Sequence, residues 1–387
     1  MTAADLLADP ALAPVLAALP NARLVGGPVR DMLAGLPVAD MDLATPEPPE
    51  ITLAALERAG LRVVPTGIAH GTVTAISEGK PFEITTLRRD VETDGRHAIV
   101  AWTDDWQQDA ARRDFTINAM SLDQAGQLHD YFGGRDDLAA GRVRFVGDAA
   151  ARVAEDYLRI LRFFRFWARF GAGAPDPQAI AAITAGVDGL EILSVERVWQ
   201  ELKRILAAPN PTEAVRLMAS LGVLQTVLPE GADPKRLASL VAAGAPPDPL
   251  LRLAALLTGD EASVAVRMKF SMAEQTRLAT LRHGPAPLPG DSDDALRRLL
   301  AEEDSGVLAD RTWLAGGAGP NWDALRARLA AAPRPVFPLE GRDALALGAT
   351  PGPAVGAALR RVRDWWLAQG CTADRSACLE MLRAAPI

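Results

Sequence analysis

The pattern of hydrophobic and polar positions changes character once along the chain, near residue 149. Before that point, short apolar runs alternate with turn residues. Residues 23–25 form a brief run that ends on Gly26-Gly27, and a helical pattern follows over 29–34. Residues 40–45 alternate acidic and apolar side chains at period two, the repeat of a strand. Residues 51–59 read as helical. Residues 72–77 and 82–86 are rich in β-branched side chains and predict two more strands. After residue 149, long amphipathic helix patterns dominate, broken by Pro/Gly-rich joints at 171–177, 284–290 and 316–321. The expectation is an α+β fold: a mixed α/β head over 1–148, a helical neck over 149–230, and a helical body and tail over 231–387.

Composition narrows this picture in three ways. A chain of 387 residues with 49% hydrophobic content can bury two or three cores. It has no apolar run of eighteen residues, so no membrane span is expected, and its start lacks the basic region of a secretory signal. Cys371 and Cys378 are the only cysteines, which suggests a reducing cytoplasm and excludes a cysteine metal cage. The net charge of −8 argues against a general nucleic-acid binder. It leaves room for a local basic surface, so the placement of arginines matters more than the total. No obligate protein partner is evident.

The chemistry begins at Gly26-Gly27-Pro28-Val29-Arg30-Asp31, followed by Asp40-Met41-Asp42. In a strand, residues i and i+2 share a face, so Asp40 and Asp42 would present two carboxylates to one spot. Their mutual repulsion would be offset by a hard cation such as Mg²⁺, which prefers oxygen ligands. Glu83, an acidic residue in the otherwise apolar strand 82–86, is the expected third carboxylate. Gly26 and Gly27 let the backbone approach a ligand closely, and the helix after them aims N–H groups at a phosphate. Arg30 would add a donor fork. An Asp-x-Asp pair alone is also the pattern of a solvated strand face. The order and spacing of all these residues point to a site for metal-assisted phosphoryl chemistry.

Residues 26–45 resemble the signature of the DNA polymerase β-like nucleotidyltransferase superfamily. More narrowly, they resemble the class II CCA-adding enzymes and the related bacterial poly(A) polymerases. Arg112-Arg113-Asp114-Phe115-Thr116-Ile117-Asn118-Ala119 is similar to that family's ribose- and triphosphate-contacting motif. Glu155-Asp156-Tyr157-Leu158-Arg159-Ile160-Leu161-Arg162 resembles the motif that selects the incoming base, and 194–206 resembles a later helix motif. The resemblance covers residues 20 to 230. Tyr157 departs from it, standing where many relatives carry a small residue or proline.

The resemblance implies Mg²⁺ on Asp40 and Asp42, Arg113 on the triphosphate, and Asp114 or Asn118 near the ribose. It implies CTP and ATP as substrates and the tRNA 3′ acceptor end as partner. It also implies that the protein serves as its own template, Asp156 and Arg159 reading the base edge. Residues 154–170 are expected to form one helix, with Asp156 and Arg159 as neighbours three apart on its surface. Ile160, Phe163, Phe164 and Trp167 would take the core side, while Arg159, Arg162, Arg165 and Arg169 face a cleft or solvent. Arg162 and Arg165 would lie near the nucleotide. The segment 94–98 resembles the family's mobile loop. Poly(A) synthesis, CC-only or A-only addition, and RNA binding without catalysis are the alternatives.

Overall fold

The computed structural model describes residues 2–68, 71–93 and 98–384, so the expected loop at 94–98 lies almost entirely outside the described residues. The chain divides into two compact units, Met1–Pro229 and Glu230–Ile387. The head and the neck thus form one unit, and the helical remainder forms the other.

The first unit is built on a seven-stranded mixed sheet. Its strands are β1 (Arg23–Val25), β2 (Asp42–Thr45), β3 (Arg62–Gly67), β4 (Thr72–Ser77), β5 (Lys80–Thr86), β8 (Met120–Leu122) and β9 (Leu128–Asp130), in the order β3-β4-β5-β2-β1-β8-β9. Strands β6 (Arg88–Thr93) and β7 (Ala98–Trp102) pair separately. The β4–β5 hairpin turns on Glu78 and Gly79, both at positive φ (48° and 77°), the backbone of a tight two-residue turn.

One pairing fixes the site. Strands β2 and β5 run parallel, with Asp42 opposite Glu83 and Leu43 opposite Ile84. Alternation sends Leu43, Phe82 and Ile84 into the core with Leu12, Val15, Val29 and Leu56. Asp42 and Glu83 therefore point together to the other face. Their direction follows from the hydrophobic burial of their neighbours and requires no contact of their own.

The neck differs from the expectation in a way that matters. In place of one helix over 154–170 there are two, Ala149–Glu155 and Leu158–Phe170. The break falls at Asp156, which is extended (φ −156°, ψ 105°). Its carboxylate accepts a hydrogen bond from the Leu158 N–H at 3.1 Å, relieving a donor that the new helix start would leave unsatisfied. The Tyr157 ring packs against Gly189, where a Cβ would overlap it. Beyond the break the core side is as expected: Ile160, Phe163 and Phe164 are fully buried, and Trp167 is nearly so. Phe166 is also buried, 5.3 Å from the Phe115 ring, and Phe115 lies 4.8 Å from Phe145. These rings bind the neck to the head.

The regular elements of the second unit are helices among the described residues. Asp248, Asp260, Ser271, Ser292 and Asp304 cap five of them. No helix among the described residues is long and apolar enough to cross a membrane.

Candidate nucleotidyl-transfer site

A cleft of about 670 Å³ opens in the first unit. Gly26, Gly27, Arg30, Asp40, Asp42, Glu83, Arg113, Asp114, Asn118, Asp156, Arg159, Arg162 and Arg165 all line it. The structure brings together all the candidate catalytic, metal and nucleotide-binding residues named from the sequence, while Arg169 of the neck helix does not line the cleft. It adds four arginines to which the sequence analysis gave no individual role, Arg88, Arg112, Arg197 and Arg204, the last three standing within motif stretches named there. Two of these carried a usable signal. Arg197 and Arg204 are seven apart on the helix Val195–Leu206, hence on one face. Nine arginines against five carboxylates give the lining a positive excess within a chain of net charge −8.

The acidic corner is formed by Asp40, just before β2, with Asp42 on β2 and Glu83 on β5. Burial pushes the Asp42 carboxyl above its ordinary range. Glu83 and then Asp40 push it further, and Arg113 offsets only a fraction of this. A half-buried carboxylate whose charge is disfavoured by two neighbouring carboxylates is a place where a hard divalent cation would be favourable. Among the described residues no group of three or more His, Cys, Asp or Glu is placed so that it could hold a metal ion as it stands. The corner is an open one, facing the cleft.

The glycine turn is sterically required. Gly26 has φ +70°, and a Cβ there would stand 3.0 Å from Arg113 Nη1. Pro28 follows and has no N–H, so Gly27 and Val29 supply the free donors at this helix start. Arg30 differs from the expectation of a phosphate fork. It is buried, paired with Asp31 at 2.8 Å, hydrogen-bonded to Asn118 Oδ1 at 2.6 Å, and set between the Phe166 and Phe170 rings. Its guanidinium is already engaged, and what it does is orient Asn118.

Asn118 donates in turn to Asp114 Oδ1 at 3.0 Å. The other Asp114 oxygen takes Arg162 Nε at 2.6 Å. Burial alone would raise the Asp114 carboxyl, but Arg162 and the Asn118 hydrogen bond outweigh it and hold it low. Asp109 has a similar role on the helix just before this motif. It is 2% exposed and binds Arg112 Nη2 at 2.7 Å and Arg113 Nη2 at 3.1 Å. Its burial is likewise outweighed by the two guanidiniums. Arg165 is pushed down to about 10 by burial and by the nearby Arg162, with Glu201 acting in opposition.

The expected Asp156–Arg159 neighbour pair is not formed. Asp156 Oδ2 pairs with Arg197 at 2.8 Å, and Arg159 Nη1 pairs with Glu155 at 2.5 Å. The helix break at Asp156 turns the two side chains to separate partners, while both still line the cleft.

Known proteins share this arrangement of motifs. Residues 22–144 match the family described as Poly A polymerase head domain. Residues 174–233 match the one described as Probable RNA and SrmB- binding site of polymerase A. The chain is 38% identical over 360 residues to the mitochondrial CCA tRNA nucleotidyltransferase 1 of Danio rerio, covering 89% of this chain and 83% of that one. The chain belongs to the CCA tRNA nucleotidyltransferase family. The human member is 36% identical, with 93% of this chain and 86% of that one covered. Among solved structures of CCA-adding enzymes, that from Bacillus stearothermophilus in complex with CTP superposes with a TM-score of 0.77 at 25% identity, covering 97% of this chain and 98% of that one. Nearly full-length superposition on a CCA-adding enzyme fits the α+β architecture described above. The head motifs, which fall within the matched residues 22–144, are those that line the cleft.

Proposed function

We propose that this chain is a transferase that adds C, C and A from CTP and ATP to the 3′ end of tRNA, releasing pyrophosphate at each step. The observation that carries the reading is the Asp42–Glu83 register, with Asp40 beside it, at the acidic end of a cleft otherwise rich in arginine. A carboxylate corner next to a cationic wall suits a nucleoside triphosphate, whose charge needs both donors and a metal counter-ion.

Asp40, Asp42 and Glu83 would hold Mg²⁺. When bound, that ion lowers the pKa of the primer hydroxyl and neutralises charge on the phosphates. The 3′-hydroxyl oxygen of the tRNA forms a bond to the α-phosphorus, and the bond from α-phosphorus to the bridging oxygen breaks. The hydroxyl proton is lost to solvent and pyrophosphate departs. Arg113, braced by Asp109, meets the triphosphate. Asn118, held by Arg30, and Asp114 lie on the ribose side. Asp156 and Arg159 read the base edge, exchanging their present partners Arg197 and Glu155 for it. Buried polar groups left unpaired by a wrong base cost about 1–3 kcal/mol each, enough for selection. The compartment we infer is the cytoplasm, supported by two cysteines that are both free.

The test uses purified protein with Mg²⁺, labelled CTP or ATP, and tRNAs ending before CCA, after C, or after CC. Addition of C, C and A followed by a stop is the expected result. Long A tails on generic RNA would replace the reading with poly(A) synthesis, and no incorporation on any substrate would refute it. For base selection, Asp156→Ala should relax discrimination among the four nucleotides by about ten-fold or more, consistent with the loss of one or two base-edge hydrogen bonds. KM for the preferred nucleotide should move less. Unchanged discrimination would remove Asp156 from the reading of the base.

A further inference from the structure

The two neck helices meet at the break beside Asp156, and one turn of chain packs against both of them. That turn joins the helix Pro177–Gly186 to the 3₁₀ segment Val187–Ile192 and carries two glycines, Gly186 and Gly189. A Cβ on Gly186 would lie 2.6 Å from Val153 Cγ1, before the break, and 3.4 Å from Ile160 Cδ1, after it. Both of those side chains are buried. A Cβ on Gly189 would overlap Cγ, Cδ1 and Cε1 of the Tyr157 ring, at the break itself. Neither glycine has positive φ, so backbone conformation does not call for glycine at either position. What requires it is the space taken by Val153, Tyr157 and Ile160. Side chains from both neck helices thus converge on the same two glycines, and the Tyr157 ring fills the notch between the helices.

Asp156 is tied to the helix that starts at this notch. Its carbonyl accepts the Arg159 N–H at 3.0 Å and its Oδ1 accepts the Leu158 N–H at 3.1 Å. Oδ2 is the carboxylate oxygen not used by the helix start, and it meets Arg197 in the cleft. Its direction therefore follows that of the first turn after the break, which Tyr157 holds against the neck. Hydrogen bonds weaken steeply away from their preferred line, so an acceptor that distinguishes one base edge from another has to be held by neighbours that cannot shift. Tyr157 does not itself line the cleft, while Asp156, Leu158 and Arg159 on either side of it do.

We propose that Tyr157 is a positioning residue for base selection: its ring, seated on Gly189 beside Gly186, sets the neck break that aims Asp156 Oδ2 and Arg159 into the cleft. This rests on the reading of Asp156 as a base-edge acceptor given above.

The test uses the full chain with Tyr157→Phe, Tyr157→Ala, Gly189→Ala and the double substitution Tyr157→Ala/Gly189→Ala, with Asp156→Ala as reference. Discrimination is read as the ratio of kcat/KM for CTP or ATP to that for GTP and UTP, and as the ratio of Kd values from equilibrium titration of the four triphosphates. Tyr157→Ala should lower discrimination about three- to ten-fold, with KM for the preferred nucleotide moving less. Tyr157→Phe should keep it, because ring carbons make the seat. Gly189→Ala should match Tyr157→Ala, because its Cβ displaces the ring. In the double variant the loss should stay near that of Tyr157→Ala alone, because the new Cβ takes space the ring has left. A lowered Tm with unchanged discrimination in Tyr157→Ala and Gly189→Ala would mean that the ring only packs, and it overturns the proposal, as does an equal loss in Tyr157→Phe. If Asp156→Ala relaxes discrimination and the ring variants do not, this proposal alone fails. If Asp156→Ala has no effect either, the base-reading role fails and the positioning role with it. The titration reports on these variants even in a chain that incorporates no nucleotide.

Discussion

Asp42→Ala should reduce incorporation of CTP and ATP by about 10³-fold or more, the scale of about 4 kcal/mol of lost transition-state stabilisation. It should do so without loss of fold stability. Asp42 is half-buried opposite Glu83 and near Asp40, and the electrostatics around it are unfavourable to its charge. Deleting a carboxylate from a mutually repelling set relieves strain that exists only because the site needs the charge. The expected signature is therefore abolished turnover, a Tm equal to or above that of the unaltered chain, and tRNA affinity changed by less than about three-fold, because RNA affinity comes mainly from phosphate contacts. Single-turnover incorporation, a thermal melt and a binding titration check these three effects. Retained turnover would remove Asp42 from the metal corner.

Asp114→Ala should do the opposite, striking stability as well as chemistry. Asp114 is 8% exposed and meets Arg162, Asn118 and the Phe115 N–H through its two oxygens. Removing it strands the Arg162 guanidinium, which is 31% exposed, and frees Asn118. Breaking a largely buried pair by deleting one partner costs about 3–5 kcal/mol, and partial exposure of Arg162 places the expectation near about 3 kcal/mol. For a unit of this size that is a fall in Tm of about 6–12 °C. The pH dependence has a definite sign. The folded-state carboxyl lies below its ordinary range. Its contribution is therefore complete above the unfolded value of about 3.9 and is lost as pH falls through the lower folded value. The stability gap between the unaltered chain and Asp114→Ala should accordingly be constant near neutrality and narrow below about pH 4. Thermal melts at a series of pH values measure it, and a gap that persists unchanged well below pH 3 would show that the carboxylate's charge is not what stabilises this junction.

Much of the site could be read from residue order because its elements are local. The acidic pair and the glycine turn stood close together in the sequence, but the strand begins at Asp42, so Asp40 reaches the cleft from the segment before it and not through the expected period-two alternation. Glu83 was legible as an acidic residue in an apolar strand, and its neighbours Phe82 and Ile84 are indeed buried while it faces out. Strands β3, β8 and β9 were not anticipated. The last two have three residues each, too few for a periodic signal, and they form because neighbouring strands offer them hydrogen-bond partners. The break at Asp156 was missed for a related reason. Helical periodicity continues through 154–170, so the local pattern reads as one helix. At the interruption Asp156 caps the Leu158 N–H, and Tyr157 beside it packs against Gly189, more than thirty residues away.

Residue identities and short-range spacing alone determined the α+β division, the acidic pair and the arginine supply, since each depends on contacts within a strand or a helical turn. Only the tertiary structure decided which partners those charges take: Asp42 against Glu83, Asp114 with Arg162, Asp156 with Arg197, and Arg30 with Asn118. Such pairings join residues about forty or more positions apart. Burial strengthens the Asp114–Arg162 and Arg30–Asn118 contacts and sharpens the repulsion between Asp42 and Glu83, and burial is a property of the packed core, absent from any window of sequence.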